Sequence, residues 1–349
     1  MSRQNKTRVL MIGPDRRVHG GISGVVNNYY EAGLDKKIEL YYISTMVEGS
    51  KLRKLFKAAG AFIWFMVKLP YYKIVHINMA SDASYYRKSF FVRLTHLAGK
   101  QLVIHQHGGD FETFYGQLSE KEKKKVKKVL SMGDAFLVLA DSFKDFFGKI
   151  IEEDKIIVLP NAVGVPEAGE KKYGQQKILF LGRLCKEKGI EELFAILPGL
   201  KEKYPSLHLY LGGIWQDKEL EEMIKPYYDY ITWLGWVSGE EKKKYLAECD
   251  IFVLPSYFEG QPVSVLEAMA NACGVVATKV GGIPQMVKDG ETGVLIEPKD
   301  KVSLCTGLER LLGDPRFCKE LGERARQRVE AEFSSESNIN RLLAIYHQL

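Results

Sequence analysis

The fold is predicted most clearly by residues 251 to 297, which read IFVLPSYFEGQPVSVLEAMANACGVVATKVGGIPQMVKDGETGVLIE. The first four residues of this stretch, Ile251 to Leu254, form an apolar run that predicts a buried strand. The loop that follows ends at Gln261, and Pro262 predicts a helix start because a first helical position does not need an N–H group. The sequence therefore predicts a strand that leads through a short loop into a helix N-terminus.

The predicted helix start has the chemistry of an anion-binding site. Its first backbone N–H groups, at Val263 and Ser264, have no partner in the helix and carry partial positive charge, which suits a diphosphate. Glu259 and Glu267 lie on either side of them, and a fully helical path would separate their Cα atoms by about 12 Å. That is long for the carboxylate pair of a glycosidase, which lies roughly 5 to 9.5 Å apart.

The two glutamates are instead spaced to bind hydroxyl groups on either side of a phosphate, which is the layout of a nucleotide sugar. The alternative is that Glu259 is a solvated loop carboxylate and Glu267 a surface residue of the helix. The context favours the binding site, because a Gly-Gly-Ile-Pro turn and a Gly-Glu-Thr-Gly turn follow the helix.

The segments PSYFEGQPVSVLEAMA, VGGIP and DGETGVLI together resemble the donor-binding signature of the retaining glycosyltransferases of family 4, which have the GT-B fold. The resemblance implies two doubly wound, Rossmann-like α/β domains that face each other across a cleft. It also implies that Glu259 binds sugar hydroxyls and Glu267 the ribose. The remaining donor-binding residues of this segment would be Gly260, Gln261, Pro262, Val263 and Ser264. One departure is Gln285, where the family often has an acidic residue.

A second segment, KILFLGRLCKEKGIEELFAIL at 177 to 197, predicts a buried strand followed by a loop with Arg183 and Lys188 and then a helix. Two cations at the carboxyl end of a strand can clamp a diphosphate, although a lysine-rich surface turn is the alternative. The resemblance of LGR…KG to the second signature of the family implies that both neutralise the donor diphosphate.

The LGWVS loop carries Gly235, Trp236 and Val237. The resemblance implies that this loop borders the nucleobase, whereas Trp236 could equally belong to the core.

The first half of the chain opens with an apolar strand, TRVLMIGP, and a glycine-rich segment, HGGISG. The glycines do not form a G-x-G-x-x-G fingerprint, and no P-loop motif occurs in the sequence. Gly20 and Gly21 either let a ligand approach the backbone closely or only permit a turn with positive φ. Ser23 is a possible cap of the following helix. The resemblance implies that the glycine pair faces the donor.

A later segment, QLVIHQHGGDF, ends a predicted strand with His105 and His107. Loops after parallel strands line the ligand cleft of α/β sheets, so His107 is a candidate for contact with the reacting sugar, and the resemblance supports this role. A lone histidine is most often structural, and His-x-His without a third ligand is weak evidence for a metal site.

The charges are divided unevenly along the 349 residues. Residues 1–165 hold 26 lysines and arginines against 16 aspartates and glutamates, and the rest of the chain holds 24 against 28. We expect 1–165 to form an N-terminal acceptor-binding domain, 166–332 a C-terminal nucleotide-sugar-binding domain, and 333–349 a helix that packs back on the N-terminal domain. The basic first half favours an anionic partner, although lysines also serve solubility.

A basic, apolar helix predicted near residues 51 to 68 suits an anionic membrane surface. Its run AAGAFIWFMV is about half of the ~20 residues that span a bilayer, and helices packed on parallel sheets are also largely apolar. No long apolar segment follows Met1, and the five cysteines show no C-x-x-C spacing, so we expect a cytoplasmic protein, either free or peripheral on the inner face of the membrane.

The sequence predicts transfer of a sugar from a nucleoside diphosphate sugar, UDP-linked, to a saccharide or lipid-linked saccharide in cell-surface polysaccharide or glycolipid assembly. Arg183, Lys188 and the helix amides would stabilise the leaving diphosphate, so no cofactor and no metal are expected. Retention is implied by the resemblance only. The alternatives are a sugar-nucleotide epimerase of GT-B type and a non-catalytic nucleotide-sugar-binding partner of another transferase. Nucleic acid is not expected, since aromatics do not interleave the basic residues.

Overall fold

Each of the two units of the chain is built on a six-stranded parallel sheet. The computed structural model describes residues 6–167 and 169–349. The first unit ends at Ala162 and also includes Ser335–Leu349, while the second unit comprises Val163–Ser334. The chain therefore leaves the first unit once and returns to it at its C-terminus.

The sheet of the first unit has the strand order β2-β1-β3-β4-β5-β6. Its strands are β1 Arg8–Gly13, β2 Glu39–Ser44, β3 Ile74–Met79, β4 Gln101–Gln106, β5 Ala135–Val138 and β6 Ile156–Val158. Its helices are α1 Gly21–Glu31, α2 Leu34–Lys37, α3 Lys51–Lys68, α4 Asp82–Leu97, α5 Phe111–Gly116, α6 Glu120–Leu130, α7 Asp141–Gly148 and the C-terminal α15 Ser335–Gln348.

The sheet of the second unit has the strand order β12-β11-β10-β7-β8-β9. Its strands are β7 Lys177–Leu181, β8 His208–Gly212, β9 Ile231–Gly235, β10 Ile251–Leu254, β11 Gly274–Thr278 and β12 Val294–Ile296. Its helices are α8 Ile190–Lys203, α9 Lys218–Met223, α10 Gly239–Glu248, α11 Val263–Ala270, α12 Ile283–Met286, α13 Lys301–Gly313 and α14 Pro315–Glu332.

The central strands are almost entirely buried, because helices cover both faces of a parallel sheet. This explains why β10 and β11 read as continuous apolar runs, with every residue of both strands buried. Strands that alternate with helices and pair in parallel form the doubly wound architecture. The prediction of two Rossmann-like α/β units is therefore confirmed.

The C-terminal helix α15 belongs to the core of the first unit. The Tyr346 hydroxyl lies 2.6 Å from Nδ1 of His76 on β3, and both side chains are buried. The Asn338 side chain donates a hydrogen bond to the carbonyl oxygen of Pro160 at 2.5 Å. None of the helices in residues 6–167 and 169–349 combines the length and the apolar content of a membrane span.

Candidate active site

The second unit has a topological switch point between β7 and β10. The chain runs from β7 to β8 and β9 on one side, then returns to place β10 on the other side of β7. The loops after β7 and β10 therefore leave the same edge of the sheet in opposite directions, which is where open α/β sheets bind ligands. Both loops are the segments that the sequence singled out.

The two loops are bound to each other through their backbones. The N–H of Tyr257 donates to the carbonyl oxygen of Glu187 at 2.9 Å. Gly189, which has φ +70°, lies so close to Pro255 that a Cβ at this position would overlap the proline carbonyl oxygen. Only glycine fits there, because both the positive φ and the close approach exclude a side chain. This contact fixes the position of Lys188 relative to the loop after β10.

Lys188 and Glu259 form an ion pair through Nζ and Oε1 at this switch point. Their side chains are only 16% and 10% exposed, so the pair is shielded from most of the solvent. The Ser256 hydroxyl also donates to Oε1 of Glu259 at 2.7 Å, and Thr278 in turn donates to the carbonyl oxygen of Ser256 at 2.6 Å. The carboxylate is therefore held in one orientation before any ligand binds.

The VGGIP turn supports the backbone of the same loop. The N–H of Gly282 donates to the carbonyl oxygen of Gly260 at 2.7 Å. Gly281 has φ +54°, and a Cβ on it would overlap the carbonyl oxygen of Glu259. Because this contact needs a bare backbone, the glycines of the turn act by positioning Glu259.

Helix α11 begins at Val263, one residue later than predicted. Pro262 is the N-cap and has an extended backbone (φ −69°, ψ 118°). Its carbonyl oxygen accepts the first hydrogen bond of the helix, from the N–H of Val265 at 3.2 Å. No side chain caps this end, and the first turn holds no acidic residue. The N–H groups of Val263 and Ser264 thus retain the donor capacity that the sequence suggested. Gln261, which precedes the cap, is buried.

Glu267 lies inside α11 and forms an ion pair with Lys242 at the start of α10, at 2.6 Å. Lys242 and Ser256 contact the predicted site residues Glu267 and Glu259, and the sequence did not indicate either of them. Lys242 belongs to the run GEEKKK, which has the composition of a solvated helix face, so only its position after the LGWVS loop could have drawn attention to it. Ser256 lies within the quoted signature but was not assigned a role.

Arg183 does not join the ion-pair cluster. Its side chain is exposed, and its Nη1 donates to Oε1 of Gln216 at 3.4 Å. In the predicted nucleobase loop, Gly235 has φ +67°, Val237 is buried, and Trp236 is 38% exposed. Trp236 is thus not a core residue, which removes the alternative considered for it.

In the first unit, the switch point lies between β1 and β3. The Gly20 and Gly21 pair follows β1, with α1 beginning at Gly21. Neither glycine has a left-handed backbone, since Gly20 is extended with φ 179°, and a Cβ on either would meet no atom within 4 Å, so a positive-φ turn does not explain them. The predicted cap Ser23 is wrong: it lies within α1, and its hydroxyl donates to the carbonyl oxygen of Asp15 at 3.0 Å.

His107 lies immediately after β4. The side-chain amide of Asn78 donates to the carbonyl oxygen of Ile12 at 3.1 Å, so its Oδ1 accepts from Nε2 of His107 at 2.9 Å. The proton therefore lies on Nε2, and the buried Nδ1 is an acceptor without a hydrogen-bond donor. Burial, with smaller contributions from His76 and Lys88, lowers the pKa of His107 to about 3, so the ring is neutral at physiological pH.

The ring centroids of His105 and His107 lie 4.0 Å apart. Over residues 6–167 and 169–349, no three histidine, cysteine or acidic side chains are grouped so that they could hold a metal ion. The same residues contain no disulfide, and all five cysteines are free thiols.

The chain is similar to several known glycosyltransferases. Residues 166–328 match the family model described as glycosyl transferases group 1. The putative teichuronic acid biosynthesis glycosyltransferase TuaC of Bacillus subtilis is 24% identical over 290 residues, which cover 83% of this chain and 66% of TuaC. The chain spans about half the length of several other curated relatives that it matches.

Two solved structures resemble the whole chain. Sucrose-phosphate synthase from Thermosynechococcus elongatus has a TM-score of 0.81 at 21% identity and covers 98% of this chain and 99% of its own. HepE from Anabaena, solved in complex with UDP-glucose, has a TM-score of 0.76 at 14% identity, with coverages of 98% and 99%. The fold is therefore of the GT-B class. The match to the group 1 glycosyltransferase model lies within the second unit.

Proposed function

We propose that this protein is a glycosyltransferase that moves a sugar from a nucleoside diphosphate sugar to an acceptor hydroxyl with retention of configuration. The observation that carries the proposal is the shielded Lys188–Glu259 pair at the switch point where α11 begins. The group 1 domain supports the donor class. The UDP-glucose complex of HepE supports a UDP-linked donor.

In this proposal, positively charged groups stabilise the leaving diphosphate and acceptor groups bind the hydroxyls. The bond between the anomeric carbon and the diphosphate breaks, a bond to the acceptor oxygen forms on the same face, and the acceptor proton passes to the leaving phosphate. Lys188, Arg183 and the amides of Val263 and Ser264 stabilise the negative charge that develops on the diphosphate. Lys188 has three N–H donors and can keep Glu259 while binding a phosphate oxygen.

The hydroxyl-binding groups are acceptors. Glu259 binds sugar hydroxyls through the oxygen that Lys188 and Ser256 leave available, and Glu267 binds the ribose. The neutral ring of His107 presents Nδ1 as an acceptor for a sugar hydroxyl and does not act as a cation at neutral pH. The positive groups around the diphosphate take the place of a metal ion in this proposal, so we expect transfer to persist in EDTA.

Glu267→Ala is expected to raise the Kd for UDP by about 10- to 100-fold, because a hydrogen bond to a charged group contributes about 1.5–3 kcal/mol. Isothermal titration calorimetry measures the change. Glu240→Ala is the matched control, since Glu240 also pairs with a lysine, Lys243, but on the exposed face of α10. Equal UDP affinity in the Glu267 variant and the wild type would contradict the ribose assignment.

The alternatives make different predictions for the purified chain. A sugar-nucleotide epimerase would act on the donor without an acceptor, whereas a transferase releases UDP together with a glycosylated product. A non-catalytic partner would bind UDP and transfer nothing. The ordered carboxylate of Glu259, with Lys188 and Ser256 fixed on it, favours a catalytic protein.

We also propose that the acceptor is a lipid-linked saccharide and that the protein docks on the anionic inner face of a membrane through α3. Only Ala61 and Phe65 of this 18-residue helix are buried. Seven large apolar side chains on its surface are 45% to 74% exposed: Leu52, Leu55, Phe56, Ile63, Trp64, Met66 and Val67. An apolar surface of this extent on one helix indicates a docking face.

The charge of α3 favours a membrane over a second copy of the chain as the partner of this docking face. Helix α3 contains five cations, Lys51, Arg53, Lys54, Lys57 and Lys68, and no acidic residue. A symmetric dimer through α3 would bring the same cations together, because the two partners of a two-fold interface present the same patch. Anionic lipid headgroups complement them. The apolar surface continues onto α4, where Phe90 packs against Phe62 with 5.4 Å between the ring centroids.

Phe56→Asp is expected to reduce binding to vesicles that contain phosphatidylglycerol by about tenfold or more, because burying a phenylalanine contributes about 1.5–3 kcal/mol. Co-sedimentation of the full chain with these vesicles, and with neutral phosphatidylcholine vesicles, measures the effect. Val302→Asp, at an apolar residue of α13 that is equally exposed, is the control. Failure of the wild-type protein to bind anionic vesicles, or dimerisation through α3, would overturn this proposal.

A further inference from the structure

Helix α4 of the first unit buries a lysine on the stripe that faces the sheet. Lys88 lies between Tyr85 and Val92 on this stripe and is 1% exposed. A charged side chain is almost never buried without a partner, because desolvation of its charge is costly. Within the part of the chain that the structure describes, Lys88 forms no hydrogen bond and no ion pair.

The neighbours of Lys88 add positive charge and further donors. Arg87 precedes it on α4, and Nε of Arg87 is buried without an acceptor. Burial, followed by the charge of Arg87, lowers the pKa of the Lys88 ammonium to about 7. The two cations therefore repel each other across a poorly solvated region with no described carboxylate paired to either.

A third donor lies at the end of β4. Gln106 follows Leu102 and Ile104 on the face of the sheet that packs against Phe91 and Val92 of α4. Its Oε1 accepts the N–H of His107 at 3.1 Å, which leaves Nε2 as a buried donor without an acceptor. A lysine of a helix points back toward the helix N-terminus, so Lys88 extends toward this edge, near enough to His107 to lower the pKa of the imidazole.

We propose that Lys88, Arg87 and Gln106 bind a phosphate group carried by the acceptor. Nε of Arg87 and Nε2 of Gln106 are buried donors without an acceptor, and the Lys88 ammonium has no described partner, so together they require an acceptor with several oxygens. Two of the three side chains are cations, which requires negative charge. A lysine beside an arginine is a common arrangement for phosphate. This inference rests on the proposed function, because it needs an acceptor that binds to the first unit. It adds the chemical class of that acceptor, a phosphate-bearing molecule.

The test is binding of inorganic phosphate to the full chain saturated with UDP, so that the donor diphosphate site is already occupied. Calorimetry is expected to detect one phosphate site in the wild type. Lys88→Met should weaken it by at least about tenfold, the effect of one charged hydrogen bond, and Arg87→Met should weaken it severalfold. Arg93→Met, an exposed position on the same helix, should leave it unchanged.

Proton uptake provides a second readout. A bound phosphate favours the charged ammonium and raises the pKa of Lys88 above its value of about 7 in the free protein. Inorganic phosphate titrates in the same range, so this readout uses sulfate, whose charge is constant there. Binding of sulfate at pH 8 should take up nearly one proton, binding at pH 6 should take up almost none, and affinity should fall as the pH rises above 7. Arg87 stays charged and His107 stays neutral over this range. Titrations in two buffers of different ionisation enthalpy measure the uptake.

The thermal stability of Lys88→Met separates a ligand site from a structural role. Methionine keeps the apolar stem and removes an unpaired buried charge, so the melting temperature of the variant should equal or exceed that of the wild type. A lower melting temperature, unchanged phosphate affinity, or equal binding of acetate would overturn the phosphate site. Failure of the wild type to bind UDP would count against the proposed function instead, whatever the result with phosphate.

Discussion

Lys188→Met is expected to lower kcat by about 10²- to 10³-fold, the usual cost of removing one preorganised donor to developing negative charge. The ammonium lies at the switch point beside α11, shielded from solvent and oriented on Glu259. Its loss removes positive charge from the leaving diphosphate and also frees the carboxylate to turn. Initial rates of UDP release in the presence of acceptor measure the effect.

The matched control is Lys186→Met. Lys186 belongs to the same short turn after β7, but its side chain is exposed and pairs with Glu191 at 3.2 Å. Both variants lose one lysine from one turn, so a general effect of charge would slow both equally. A normal rate for Lys186→Met with a large loss for Lys188→Met supports the assignment, and equal rates for both variants would refute it.

Gly281→Ala is expected to destabilise the second unit by about 3 kcal/mol, a fall of about 6–12 °C in melting temperature for a unit of this size. An alanine there combines a left-handed backbone with overlap of its Cβ and the carbonyl oxygen of Glu259. The loop must move to relieve the overlap, which shifts Glu259 away from Lys188. We therefore also expect weaker UDP-sugar binding, measured by calorimetry.

Gly290→Ala separates the two causes. Gly290 has φ +72°, but a Cβ on it would meet open space. Its substitution should lower the free energy of unfolding only by the strain of a left-handed alanine, about 1–2 kcal/mol, and should leave donor binding unchanged. If both variants lose the same stability and bind the donor equally, the turn has no role in positioning Glu259.

The sequence was sufficient to predict β7 and β10 of the second unit and the loops that follow them. Apolar runs that end in glycine or proline mark β7 and β10, and the resemblance assigned the loops after them to one site. Two parallel strands that follow a switch in direction bring those loops together. The contact between Gly189 and Pro255 explains why a glycine has to follow Lys188 in the loop after β7.

The partners of the charged residues could not be predicted. Lys242 is separated from Glu267 by 25 positions and lies in a lysine run that resembles any solvated face. The pairing depends on the approach of α10 to α11, which no local pattern encodes. Lys88 was missed for a similar reason, because its burial is a tertiary property and a lysine is rarely buried.

The return of the chain through α15 has a consequence for synthesis. Domains usually fold in order as the ribosome releases them, but the first 162 residues lack Tyr346, which fills the space beside His76. The first unit therefore cannot complete its core until the ribosome has translated the second unit and released α15. Nascent chains stalled before residue 335 should expose that core to proteases and chaperones.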